Sequence, residues 1–212
     1  MIDWVCPPRC ALCGRGVPTA ASAACEGCGR ALGEAVTRRE VVPSTLSLAP
    51  WEGELREAVL AMKFRGEVWR GRPLGRLLGL EVAAYEVDVD VIVPVPVARG
   101  RAHERGFNQA DRIARGVRDV LGTPLRPRAL RRLDRGRQSE RTRDARRSAN
   151  FALRAPEAVR GLAVLLVDDV LSTGATADAC RAALERGGAR AVSVATLCYT
   201  PTRPAEHECG DP

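Results

Sequence analysis

The chain has 212 residues, with 33 Lys and Arg against 26 Asp and Glu and a formal net charge of +7. That length accommodates one α/β domain with a small appendage and an ample core. No run of eighteen apolar residues marks a membrane span, and MIDWVCPPRC at the start lacks a charged segment followed by an apolar one. Neither membrane insertion nor secretion is expected from these features and a cytoplasmic location is, so the eight cysteines argue for metal ligands or free thiols rather than disulfides.

Residues 1–45 read as a small zinc-ribbon-like module. Cys10, Cys13, Cys25 and Cys28 form two C-x2-C pairs separated by eleven residues, and Gly14 and Gly29 follow the second cysteine of each, where tight turns would aim backbone amides at thiolates. All four ligands of a tetrahedral structural Zn²⁺ come from the protein in such a set, leaving no open position for catalysis. Cys6 either replaces Cys10 as a ligand or is a spare thiol. A thioredoxin-like redox role is the alternative; it calls for a C-x2-C that opens a helix after a strand, and neither pair is expected to do so.

Residues 46–86 read as a helical connector or cap. Trp51, Leu55, Ala58, Val59 and Met62 recur at helical spacing behind Pro50, which suits a first helical turn. A second helical pattern runs over 72–85 through Leu74, Leu77, Leu78 and Val82. Lys63 is the only lysine in the chain. It is either a compact ammonium kept for a ligand or an ordinary surface residue.

Residues 87–200 carry the main α/β pattern, and 201–212 a loose tail. VDVDVIVPVPV (87–97) reads as a strand ended by Pro94 and Pro96. Arg99, Arg101 and Arg105 then cluster where the next helix begins, a placement that suits a pyrophosphate held by guanidinium forks and free amides. Residues 99–150 hold sixteen arginines against six acids, enough to neutralise a diphosphate or a nucleic-acid backbone.

Next, VLLVDDVLSTGAT (164–176) runs from an unbroken apolar stretch, the mark of a strand covered on both faces, into two acids and a small hydroxyl-and-glycine loop that opens a helix. Ser172, Thr173, Gly174, Ala175 and Thr176 make an anion cradle at that helix start. Asp168 and Asp169 would repel a phosphate in the cradle, so they are assigned to sugar hydroxyls or a bound Mg²⁺. The whole describes a holder for a ribose 5-phosphate. It is neither a Walker A loop nor a dinucleotide G-x-G-x-x-G. AVSVATLCY (191–199) supplies a third buried strand, with Cys180 and Cys198 as core thiols.

Taken in order, the cysteine pairs, W-x-G-x-L-R and K-F-x-G (51–66), P-V-P with RGFNQA (94–110), an Arg-rich stretch (138–150) and DDVLSTGAT resemble the ComF/ComFC family of phosphoribosyltransferase-like proteins linked to natural competence. The stretch departs from the family pattern at Arg141, where an apolar residue is usual after Gln138, and at Asn150, displaced by about one position. The resemblance implies a type I phosphoribosyltransferase-like parallel sheet with helices on both faces, phosphoribosyl pyrophosphate (PRPP) as ligand, and Mg²⁺ bridging its oxygens. Carried onto this chain, Asp168 and Asp169 hold the ribose diol, 172–176 the 5-phosphate, and Arg99 with nearby donors the pyrophosphate.

Two functions follow. In one, a PRPP-binding fold supports DNA uptake, with Arg131, Arg132, Arg135 and Arg137 gripping single-stranded DNA beside competence helicase-type partners. In the other, the protein is an active phosphoribosyltransferase on an unknown acceptor in nucleotide or cofactor metabolism, with no DNA role. Of the eight aromatic residues only Phe107 lies in the basic segment and Phe151 directly at its end, which favours backbone contacts over base stacking.

Overall fold

The structure, a computed structural model, describes residues 8–19, 22–37, 44–97, 106–133 and 151–201. Cys6, Arg99, Arg101, His103, Arg105, Arg135, Arg137, Gln138, Arg141, Asn150 and most of the tail lie outside them.

Four parallel strands form one sheet in the order β1-β6-β5-β2. The three strands expected from sequence are β2 (Val91–Pro94), β5 (Ala163–Leu171) and β6 (Ala191–Tyr199). The fourth, β1 (Thr45–Pro50), is an edge strand drawn from the segment read as a connector. Pro50 does not open the helix as expected: it closes β1 opposite Tyr199, and helix α2 (Gly53–Phe64) begins three residues later. An edge strand's last residue tolerates a missing N–H, and Trp51 resumes the bonding by donating to the Tyr199 carbonyl at 2.8 Å.

The unbroken apolar run of β5 is explained by cover on both faces. On one face Leu165 and Val167 pack with residues of α2, α3 (Gly71–Ala84) and α4 (Gln109–Leu121). On the other, Val164 and Leu166 meet Cys180 and Leu184 of α5 (Ala175–Arg186). A separate antiparallel pair, β3 (Leu130–Arg132) with β4 (Phe151–Leu153), packs on the α5 side through Leu130 and Phe151.

Helices α3 and α4 meet backbone to backbone. A Cβ on Gly75 would strike the Ile113 carbonyl oxygen, and one on Gly116 the Arg72 carbonyl oxygen. Beside this seam the Arg72 guanidinium donates to Asp119 at 3.0 Å.

The cysteine module shares the main core. Cys10, Ala11, Leu12 and Cys28 are buried in the same cluster as Leu48, Leu55 and Leu74. Arg70 is also buried, and its guanidinium donates to the carbonyls of Ala11 at 2.7 Å and Leu12 at 2.8 Å. Gly14 occupies the expected left-handed turn at φ +79°. Gly29 does not: helix α1 (Glu26–Thr37) opens straight after Cys25, and the Gly29 N–H bonds back to the Cys25 carbonyl within it. The second C-x2-C therefore does open a helix, although only an isolated Arg9–Gly16 bridge, not a strand, precedes it among the described residues. Among those residues no helix is long and apolar enough to cross a membrane.

Candidate functional site

Strand β5 continues past its buried run, so Asp168 and Asp169 sit on the strand itself, with Asp168 opposite Thr196 of β6. They emerge at the carboxyl edge of the sheet, where open α/β folds place ligands. The chain then turns through Ser172 and Thr173 to Gly174, whose φ of +76° lets α5 start at Ala175. A cavity of about 430 Å³ opens here, lined by both acids, Ser172 and Thr176.

Opposite the acids stands the start of α4. The Asn108 side chain accepts from the Ala110 N–H at 3.1 Å and donates to the Val95 carbonyl at 3.0 Å, so one residue caps the helix and ties it to the end of β2. This fixes Gln109 in the cavity wall at 3% exposure, with its Nε2 lacking a hydrogen-bond partner among the described residues. A buried amide donor left unpaired costs about 1–3 kcal/mol, which a ligand oxygen would recover.

The third wall comes from α2. Lys63 reaches across to Asp169, Nζ to Oδ1 2.8 Å, with 16% and 14% of the two side chains exposed. Its ammonium lies 5.8 Å from the centre of the Trp51 ring, and Trp51, Leu60 and Phe64 complete an apolar side. Arg132 closes the remaining flank, its guanidinium 5.4 Å from the centre of the Phe151 ring. Alternation along β3 buries Leu130, exposes Arg131 and turns Arg132 into the cavity wall. Of the four arginines assigned to nucleic acid, one thus stands on the cavity and one on the surface, and the other two lie outside the described residues.

Sequence reasoning gave Gln109 no role, although RGFNQA was singled out as a motif. Its signal is the neighbouring Asn108, which as a helix cap fixes where the next side chain goes. Lys63 had only its rarity to recommend it.

Cys10, Cys13, Cys25 and Cys28 bring their sulfurs within 4.8 Å of one another. Those of Cys13 and Cys25 are 3.8 Å apart, matching the edge of about 3.8 Å that tetrahedral Zn–S bonds of about 2.3 Å require. A hydrogen bond from the Arg15 backbone, opposed by burial and helped by the Arg15 side chain, draws the Cys13 thiol down to about 6, whereas burial pushes Cys28 up. The set can hold a metal ion.

Residues 104–211 match the family described as Phosphoribosyl transferase domain. Competence protein ComFC of Bacillus subtilis (strain 168) is 30% identical over 196 residues, covering 89% of this chain and 76% of that protein. The DNA utilization protein YhgH of Escherichia coli (strain K12) is 31% identical over 181 residues, covering 82% and 78%. This chain belongs to the ComF-type phosphoribosyl transferase family. The matched segment contains the acids, the loop and Gln109, whereas Trp51, Lys63 and the four clustered cysteines precede it. Competence protein F of Haemophilus influenzae is similar over a shorter stretch, 28% identical across 62% of each chain.

Proposed function

We propose that the cavity binds PRPP or a related phosphoribosyl ligand together with Mg²⁺, in a ComF-type protein that supports DNA uptake. The observation that carries this reading is the convergence in one cavity of the acid pair, Ser172 and Thr176 from the helix-opening loop, and the amide of Gln109, unpartnered among the described residues. Free amides at the start of α5 and the hydroxyls of Ser172 and Thr176 suit the 5-phosphate. Asp168 and Asp169 accept hydrogen bonds from the ribose hydroxyls. Gln109 and Arg132 supply donors for the pyrophosphate, alongside Arg99, Arg101 and Arg105 from the sequence assignment. The two carboxylates also fit a hard divalent cation, which when bound spreads the negative charge of the diphosphate. Before ligand arrives Lys63 neutralises Asp169; afterwards the same ammonium is free to face a ligand oxygen.

Displacement at C1, with the C1–oxygen bond to pyrophosphate breaking as an acceptor attacks, would ask the protein mainly for positioning and charge stabilisation. The same four thiols would hold one structural zinc, so metal analysis of the purified protein should find about one equivalent per chain.

Calorimetric titration with PRPP, with and without Mg²⁺, tests the reading. Changing Asp168 and Asp169 together to Asn keeps shape but removes the charge, and binding should weaken at least about tenfold. Equal binding by parent and variant would overturn the placement of the ribose.

The names of the relatives support the DNA role, and the basic segment is its candidate surface. Single-strand affinity should then fall with salt at about −0.7 per phosphate neutralised. Changing Arg131, Arg135 and Arg137 to Gln should flatten that slope and spare PRPP, whereas Arg132→Gln should weaken PRPP. The opposite pattern would assign the whole stretch to the ligand.

A further inference from the structure

Behind the loop that bounds the front cavity lies a second one of about 280 Å³. On this face α5 covers β5 and β6 through Cys180 and Leu184, and β1 stands beyond them at the sheet edge. Alternation along β1 sends Leu46 and Leu48 to the opposite core and leaves Thr45 and Ser47 facing the gap. The far wall is the loop itself, at Ser172 and Thr173, and the floor is α5 with Asp178 and Arg181.

Arg181 is the anomaly. Among the described residues its Nε, shut off from water, has no hydrogen-bond partner and its guanidinium makes no ion pair. Asp178 lines the same cavity without pairing to it, its Oδ2 lying beside Gly174. An unpaired guanidinium calls for an oxyanion, which it takes with a fork of donors. A carboxylate in the same cavity repels a bare anion but accepts hydrogen bonds from hydroxyls, and the hydroxyls of Thr45, Ser172 and Thr173 both give and accept them, whereas that of Ser47 is already bonded to Thr196 at 2.7 Å. The ligand that satisfies both charges carries an anionic group and neighbouring hydroxyls, in a volume at the lower limit of small-molecule pockets.

We propose that this rear cavity binds a phosphorylated sugar, its phosphate on Arg181 and its hydroxyls on Asp178 and the Ser and Thr side chains. Ser172 lines both cavities. A rear ligand therefore acts on the loop that holds the front one, and by linkage each alters the other's affinity. That coupling, unlike the rear site itself, rests on the front-site reading.

The probe is ribose 5-phosphate, titrated by calorimetry with Mg²⁺ present. The parent should bind two equivalents; Arg181→Met should bind one, as should the Asp168→Asn, Asp169→Asn double variant, and the triple variant none. Arg181→Lys keeps the charge and loses the fork, so its rear affinity should fall about fivefold; it serves if thermal melting shows that the Met variant is poorly folded. A single equivalent lost with the acids and indifferent to Arg181 would overturn the rear site and leave the front reading standing. Two equivalents that survive every Arg181 change would also overturn it. One equivalent that depends on Arg181 alone would uphold the rear site and overturn the front reading.

Discussion

Along its middle, α4 lies so close to α3 that neither Gly75 nor Gly116 has room for a methyl group. At its N-terminus the same helix holds Gln109 buried beside a cavity with an amide donor that none of the described residues satisfies. At the seam a side chain could only push the helices apart, whereas at the cavity the side chain is present and its partner is what the protein lacks. Tight packing and an unmet hydrogen bond are therefore divided along one helix, and the first makes the second possible by fixing the helix on which Gln109 stands.

The largest expected effect tests the closed end. Gly75→Ala forces a methyl into backbone, and overpacking of that kind should cost about 3 kcal/mol or more, lowering the melting temperature by roughly 6–12 °C for a chain of this size. Added ligand should not restore the seam. A melting temperature within a degree or two of the parent would show that the helices slide apart freely.

Lys63→Met probes the open end. It leaves the half-buried Asp169 carboxylate without its cation, at a cost of about 1–2 kcal/mol, below the range for fully buried pairs. Because the loss is electrostatic, millimolar Mg²⁺ should recover part of it in thermal melts, and absence of any recovery would count against a cation site at the acids.

Gln109→Met sharpens the contrast further. Removing an unsatisfied buried donor should leave stability unchanged or raise it by up to about 1 kcal/mol, while PRPP affinity falls about tenfold. Loss of stability with affinity intact would make Gln109 a packing residue.

The smallest effect returns to the seam. A hydrogen bond from Arg72 holds the Asp119 carboxyl below the usual carboxylate range. Its contribution is present above the ordinary Asp pKa and is lost as pH falls through the lowered one, so Asp119→Asn should flatten the stability profile at acid pH. The cost at neutral pH should be about 0.5–1 kcal/mol, as for exposed pairs.

The contrast also explains what could be read from sequence. The apolar run of β5, its acids and the loop announce themselves because consecutive residues carry the whole signal. β1 was hidden because TLSLAP is short and ends in a proline that equally suits a helix start. Gly29 follows its cysteine as Gly14 does, yet local pattern could not tell a helical turn from a left-handed one. Arg132 was grouped with its neighbours by charge, and only the phase of β3 separates it from Arg131. Arg181 and Gln109 look unremarkable in the chain, because a missing partner is a property of three dimensions.

The central claim is that the phosphoribosyl ligand sits between the acid pair and the α2 wall, and Trp51 on that wall reports it most directly. With Trp4 and Trp69 changed to Phe, Trp51 is the only tryptophan left of three. Titration with PRPP and Mg²⁺ should then shift its fluorescence along a saturable curve that disappears when Asp168 and Asp169 are changed to Asn. An unshifted spectrum in a protein that calorimetry shows to bind PRPP, or the same curve in the Asn variant, would contradict the account.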